Sequence, residues 1–199
     1  ITYSFMFTST IITYMIIKRW LKSQLEASLS DNRITILYGA RQVGKTTLVK
    51  EITSEHNGLY LSCTEPDIRN AFTNKTSSEM RKFIGNAKLL ILDEAQIVEN
   101  IGLSLKLLYD NFPNLKVIAT SSSSFDLSNA IAEPLTGRNI TFTLYPISYQ
   151  EYVNNVGEIE AKRLMEHRII YGMYPHVITS ENPKSIIEPI ANDYLLKDI

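Results

Sequence analysis

The sequence predicts an α/β fold, a parallel sheet covered by helices on both faces and followed by a helical segment. Three observations carry this. Short β-branched and aromatic runs alternate with helical stretches between Arg33 and Leu144. One run, Leu89-Leu90-Ile91-Leu92, is apolar throughout and ends in two carboxylates, as strands buried on both faces do. A glycine-bounded loop separates the first strand from the next helix.

The elements follow in order. From Ile16 onward, Ile17, Leu21, Leu25 and Leu29 recur at helical spacing, with Lys18, Lys22 and Glu26 between them. Asp31-Asn32 ends that helix. Arg33 to Tyr38 reads as a buried strand, Gly39 to Lys45 as a loop and Thr46 to Ser54 as a helix. Gly58 to Ser62 is a second strand, and Glu65 to Asn86 is polar with helical stretches. After the apolar strand at Leu89, residues Ile101, Leu105, Leu108 and Phe112 mark an amphipathic helix. Lys116 to Thr120 is a fourth strand, followed by a serine-rich turn. Ile140 to Leu144 is a fifth. From Tyr149 the signals are mostly helical, over Glu158 to Tyr171 and Ser185 to Lys197.

Composition narrows the function. The chain has 199 residues, enough for one domain with a sizeable core, and 44% hydrophobic and 21% charged residues, as ordinary globular proteins have. A net charge of −1 gives no support to electrostatic binding of nucleic acid. The single cysteine, Cys63, excludes an internal disulfide, a CxxC redox pair and a thiolate zinc cage, and fits the reducing cytoplasm. Residues 1–14 are read as a non-native or upstream extension, with Met15 as the natural start. The apolar stretch Ile1 to Ile17 falls short of the roughly 20 residues that span a bilayer, so a membrane anchor is not expected.

Gly39-Ala40-Arg41-Gln42-Val43-Gly44-Lys45-Thr46 matches GxxxxGK[ST] at every fixed position, between a strand and a helix. The glycines allow a tight turn whose backbone N–H groups face phosphate oxygens, at the positive end of the following helix. Lys45 would contact the β- and γ-phosphates, and the Thr46 hydroxyl would ligate Mg²⁺. Asp93 and Glu94 close the apolar strand at the sheet edge where ligands of such folds bind. Asp93 would hold the Mg²⁺ shell, and Glu94 would orient the attacking water. The spacing between the two motifs leaves room for an extra strand, as in ATPases with an added central strand and a catalytic glutamate. No NKxD-type guanine motif is found, which favours ATP. Thr120 either senses the γ-phosphate or caps the next helix. Arg138 either stabilises transition-state charge, in cis or from a neighbouring subunit, or is a surface arginine beside a helix-ending glycine.

These segments resemble a prokaryotic family of AAA-like P-loop ATPases, related to the archaeal ATPase group. That family normally continues into an uncharacterised C-terminal domain. The stretches that carry the likeness are Tyr38 through Thr47, Leu92-Asp93-Glu94-Ala95-Gln96, Ser122 through Ser128 and Ala132 through Arg138. Leu144 through Ser148, Tyr171 through Pro175 and Tyr194 through Asp198 also match. The resemblance implies a three-layer P-loop NTPase sandwich of the AAA type over residues 15–148, then a helical segment over 149–199 that stops before a further domain. It also implies Mg²⁺-dependent ATP hydrolysis serving a switch or motor. Gly39 through Thr47 would bind nucleotide, and Lys45, Glu94, Thr120 and Arg138 would act in catalysis. A homo-oligomer or a protein partner would be reached through the C-terminal domain. Two alternatives stand beside this, a non-hydrolysing regulatory module and a nucleic-acid-associated ATPase whose reader lies in that domain. One departure is Ser121, where the family usually has glycine after the strand-four threonine.

Overall fold

The computed structural model describes residues 17–122 and 124–195. Residues 1–14, the expected extension, lie outside them, as do Ser123 and the last four residues.

Five parallel strands form one sheet in the order β2-β3-β4-β1-β5. They are β1 (Ile34–Tyr38), β2 (Leu59–Ser62), β3 (Leu89–Asp93), β4 (Lys116–Ser121) and β5 (Asn139–Thr143). The helices before the third strand are α1 (Leu21–Ser28), α2 (Lys45–Glu55), α3 (Pro66–Phe72) and α4 (Ser77–Ile84). After it come α5 (Ile101–Asn111) and α6 (Ser124–Ile131). The expected doubly covered parallel sheet is what the chain forms. The extra strand for which the motif spacing leaves room is β2, at the sheet edge beside β3; β4, which follows both motifs in the chain, is the strand that lies between β1 and β3.

Why these runs become central strands is plain from burial. Every residue of β1 and β3 is buried, so neither face of those strands can carry polar side chains cheaply. Side chains alternate between two cores. Ile36, Leu90, Leu92 and Val117 meet Phe72, Met80, Leu105 and Leu108 from α3, α4 and α5 on one face. Leu37, Leu89, Ile91 and Ile118 meet Leu25, Leu48, Val49 and Ile52 from α1 and α2 on the other. This is the three-layer sandwich that the motifs imply.

The segment after β5 folds into α7 (Tyr149–Val156), α8 (Glu158–Arg163), α9 (Met165–Tyr171), α10 (Pro175–Thr179) and α11 (Pro183–Leu195). A third cluster of Tyr152, Ala161 and Ile178 with Ile17 and Ile147 seats it against both ends of the core. Two expectations shift here. The stretch read as one helix over Glu158 to Tyr171 breaks at Leu164, which lets α9 turn back so that Arg168 donates to the Tyr152 hydroxyl at 3.2 and 3.3 Å. The helix expected from Ile16 starts only at Leu21. Arg19 and the Trp20 N–H are drawn instead to Glu151.

Candidate nucleotide site

The loop after β1 has a backbone that only certain residues can adopt. A Cβ at Gly39 would lie 2.6 Å from the Leu144 carbonyl oxygen, so the loop can pass the end of β5 only as glycine. Gly44 has φ +99°, the left-handed region that glycine enters freely, and it opens α2. Lys45, 4% exposed, donates from Nζ to the Gly39 and Ala40 carbonyls at 2.7 and 3.1 Å. Its ammonium lies 3.8 Å from Glu94 Oε1. Burial pushes the Lys45 ammonium below its ordinary value, against the opposing pull of Glu94 and Asp93.

Asp93 ends β3 at the same sheet edge and is 3% exposed. A carboxylate so buried needs donors, and three hydroxyls supply them. Thr46 and Tyr60 donate to Oδ2 at 2.8 and 2.7 Å, and Thr120 donates to Oδ1 at 2.5 Å. Thr46 belongs to α2, Tyr60 to β2 and Thr120 to β4, so the carboxylate is held from the loop and from both neighbouring strands. Burial first, and then the Asp93 carboxylate, raise the Tyr60 phenol well above its ordinary value, which keeps it a donor.

Glu94 follows with φ 56° and ψ 46°, left-handed for a residue that avoids that region. Among the described residues the non-glycine residues at positive φ are three asparagines, which tolerate it, and Gln42 and Glu94. Both of the latter lie at this site, where such strain tends to collect. The Glu94 N–H donates to Thr120 Oγ1 at 3.0 Å. Its Oε2 accepts from Gln96 Nε2 at 2.5 Å and from the Ser122 hydroxyl at 2.7 Å.

Lys45, Thr46, Asp93 and Glu94 thus meet, as the sequence predicts. Thr120 is fully buried between the Asp93 carboxylate, to which it donates, and the Glu94 backbone N–H, from which it accepts, so it ties the two residues together at the end of β3. Arg138 is not brought to the site. Its carbonyl accepts from Ile34 N at 2.9 Å, at the start of β1. The length of that strand, about 17 Å, separates it from the loop, so the structure does not bring the guanidinium to the site within this chain. Its Nε lies 3.6 Å from Asp110, and its guanidinium lies over the Tyr109 ring. Sequence reasoning missed Tyr60, Ser122 and Gln96. Gln96 and Ser122 lie inside stretches that carry the family likeness, but no local signal marks Tyr60.

Residues 31–153 match the AAA domain family. The chain belongs to that family. This AAA domain is also 27% identical over 188 residues to an uncharacterised protein of Methanocaldococcus jannaschii, covering 86% of this chain and 42% of that one. A second uncharacterised protein of that organism is 30% identical over 193 residues, covering 90% and 39%. The chain therefore spans less than half the length of these relatives. Among solved structures it is similar to a Walker-type ATPase of Pyrococcus abyssi, with a TM-score of 0.61, 18% identity and coverage of 92% of this chain and 74% of that one. That likeness supports the fold.

Beside the loop, the AAA domain has a largely apolar cavity of about 410 Å³. Ile17, Thr47, Leu48, Ile147, Pro175 and His176 line it, so it lies between the core, the segment before α1 and the helical segment. Its size is in the range of small-ligand sites. No helix among the described residues is long and apolar enough to cross a membrane.

Proposed function

We propose that this AAA domain binds ATP with Mg²⁺ and hydrolyses it, and that the cycle serves as a molecular switch or motor. One observation carries the reading: the Lys45 ammonium, the Thr46 hydroxyl and the Asp93 and Glu94 carboxylates converge at the carboxyl edge of the sheet, at the mouth of the loop. The loop N–H groups and Lys45 would hold the triphosphate, and the adjacent apolar cavity would take the base. Thr46 Oγ1 and Asp93 Oδ2, hard oxygens 2.8 Å apart, fit Mg²⁺, which completes its shell with phosphate and water. Bound there, Mg²⁺ would neutralise charge on the β- and γ-phosphates.

Glu94 then takes a proton from a water as that water's oxygen attacks the γ-phosphorus. The bond to the bridging oxygen breaks, ADP leaves with that oxygen, and inorganic phosphate forms. Phosphate arriving at Lys45 competes with the Gly39 and Ala40 carbonyls for the same ammonium.

A second reading, a regulatory module without turnover, is favoured by one feature. Glu94 Oε2 is engaged by Ser122 and Gln96, which ties up one of the two oxygens that would take a proton from a water. The deciding experiment compares the chain with Glu94→Gln and Lys45→Ala in ATP binding and Mg²⁺-dependent turnover. Loss of a general base lowers turnover about 100-fold or more, so Glu94→Gln should bind ATP and not hydrolyse it. Lys45→Ala should weaken binding itself. Binding without turnover in the unaltered chain would favour the regulatory module, and no binding would remove the nucleotide reading.

A further inference from the structure

Arg19 stands before the first helix, in a stretch that no phosphate-binding motif includes, yet its side chain is only 9% exposed. Its three nitrogens go to three parts of the fold. Nη1 donates to the Val43 carbonyl in the loop at 2.9 Å, Nη2 to the Tyr145 carbonyl after β5 at 2.5 Å, and Nε to Glu151 Oε1 at 3.2 Å. Glu151 is itself nearly buried and anchored. It completes the capping box of α7 with Ser148 and accepts the Trp20 N–H at 2.9 Å. Burial alone would raise the Glu151 carboxyl, but the Ser148 and Trp20 N–H groups and Arg19 hold it below its ordinary value. The guanidinium therefore rests against a fixed anion.

The contact with Val43 matters because of what a peptide is. The Val43 carbonyl and the Gly44 N–H belong to one planar trans unit and point in opposite directions. A donor that fixes the carbonyl on one side fixes the direction of the N–H on the other. Gly44, at φ +99°, is free enough for this unit to turn over, which would aim a carbonyl where an anion is to bind. The arginine also packs beside Gly44, where a Cβ would be in ordinary contact with its Nη1 at 3.6 Å and with Pro175 Cγ at 3.7 Å.

We propose that Arg19 is a positioning residue that locks the Val43–Gly44 peptide with its N–H turned toward the phosphate cradle, and that Glu151 ties this lock to the helical segment. The inference rests on the nucleotide reading and adds to it that the seating of α7 sets phosphate affinity.

The test measures binding of ATP and of inorganic triphosphate, with thermal unfolding, for the unaltered chain, Arg19→Lys and Glu151→Gln. A lysine has one ammonium in place of the fork and cannot span the three acceptors. Loss of a charge-assisted hydrogen bond corresponds to about tenfold. Arg19→Lys should therefore weaken ATP and triphosphate by the same factor, about tenfold, and Glu151→Gln should weaken both in the same proportion by a smaller factor, while each variant unfolds cooperatively. Unchanged affinity in a folded variant overturns the proposal. So does a loss confined to ATP, which would assign Arg19 to the base cavity. If Arg19→Lys does not fold, Glu151→Gln decides alone by the same criteria. If the unaltered chain binds neither ligand, the nucleotide reading itself falls.

Discussion

Replacing Thr120 by valine isolates the bonds that hold the Asp93 carboxylate and the Glu94 backbone. Valine has nearly the same shape, so the fully buried site is neither emptied nor crowded. Two bonds disappear, the one given to Asp93 Oδ1 and the one accepted from the Glu94 N–H. Hydrogen bonds to charged groups contribute about 1.5–3 kcal/mol, and a buried donor left without a partner costs about 1–3 kcal/mol. Shared partners make these less than additive, so the expected loss is about 3 kcal/mol. For a chain of this length that lowers Tm by roughly 6–12 °C. Turnover should fall as well, since the Asp93 carboxylate loses a donor and the Glu94 backbone loses the acceptor that fixes its direction. The measurement is denaturant and thermal unfolding of the unaltered chain, Thr120→Val and Thr120→Ser. Serine keeps the hydroxyl and loses one methyl, which is about 1 kcal/mol. A valine variant within about 1 kcal/mol of the unaltered chain would refute the reasoning. So would a serine variant as unstable as valine, because packing would then outweigh the bonds.

Three further outcomes follow from placement and burial. Arg138→Ala should cost no more than about 1 kcal/mol, because its Asp110 partner is exposed, and should leave ATP affinity unchanged; a turnover loss rescued by mixing with Lys45→Ala protein would show that it acts on a neighbouring chain. Burial, and then the Asp93 and Glu94 carboxylates, push the Cys63 thiol up to about 12 from 9.0, so thiol reagents at pH 8 should label it only on unfolding. Its folded value exceeds its unfolded one, so the stability it contributes is complete below pH 9.0 and is lost as pH rises toward about 12.

What the sequence makes legible follows physical range. The loop and Asp93 are legible because their chemistry depends on local backbone geometry, glycine at Gly39 and Gly44 and a carboxylate closing a buried strand. The central strands are legible because burial on both faces leaves an unbroken apolar run. Tyr60 is not legible, because what makes it matter is which strands become neighbours, and Ser122 is legible only as part of a matching stretch, not as a partner of Glu94. Arg138 shows the converse. Its place in a motif suggests the site, but it precedes β5 and so falls at the opposite edge of a parallel sheet. Arg19 and Glu151 are half legible. Ser148-x-x-Glu151 announces a capping box, while its bond to a residue far earlier in the chain has no sequence signal.

The position of Asp93 is then a property of the sheet order as much as of its own motif. Because β3 runs between β2 and β4, Tyr60 and Thr120 reach the carboxylate from either side, and only Thr46 comes from the loop. Thr46 is the member that would turn its oxygen to a metal, and the other two would then keep Asp93 supplied with donors. Tyr60→Phe tests this division. The ring remains, one donor to Oδ2 goes, and Tyr60 is partly exposed, so the cost should lie near the low end for such bonds, about 1.5 kcal/mol. That is less than for Thr120→Val, which loses two bonds in full burial. Because Oδ2 is the oxygen shared with Thr46, the variant should also change the Mg²⁺ concentration needed for half-maximal turnover. A loss equal to that of Thr120→Val, or an unchanged Mg²⁺ dependence, would mean that the strands do not share the carboxylate in this way.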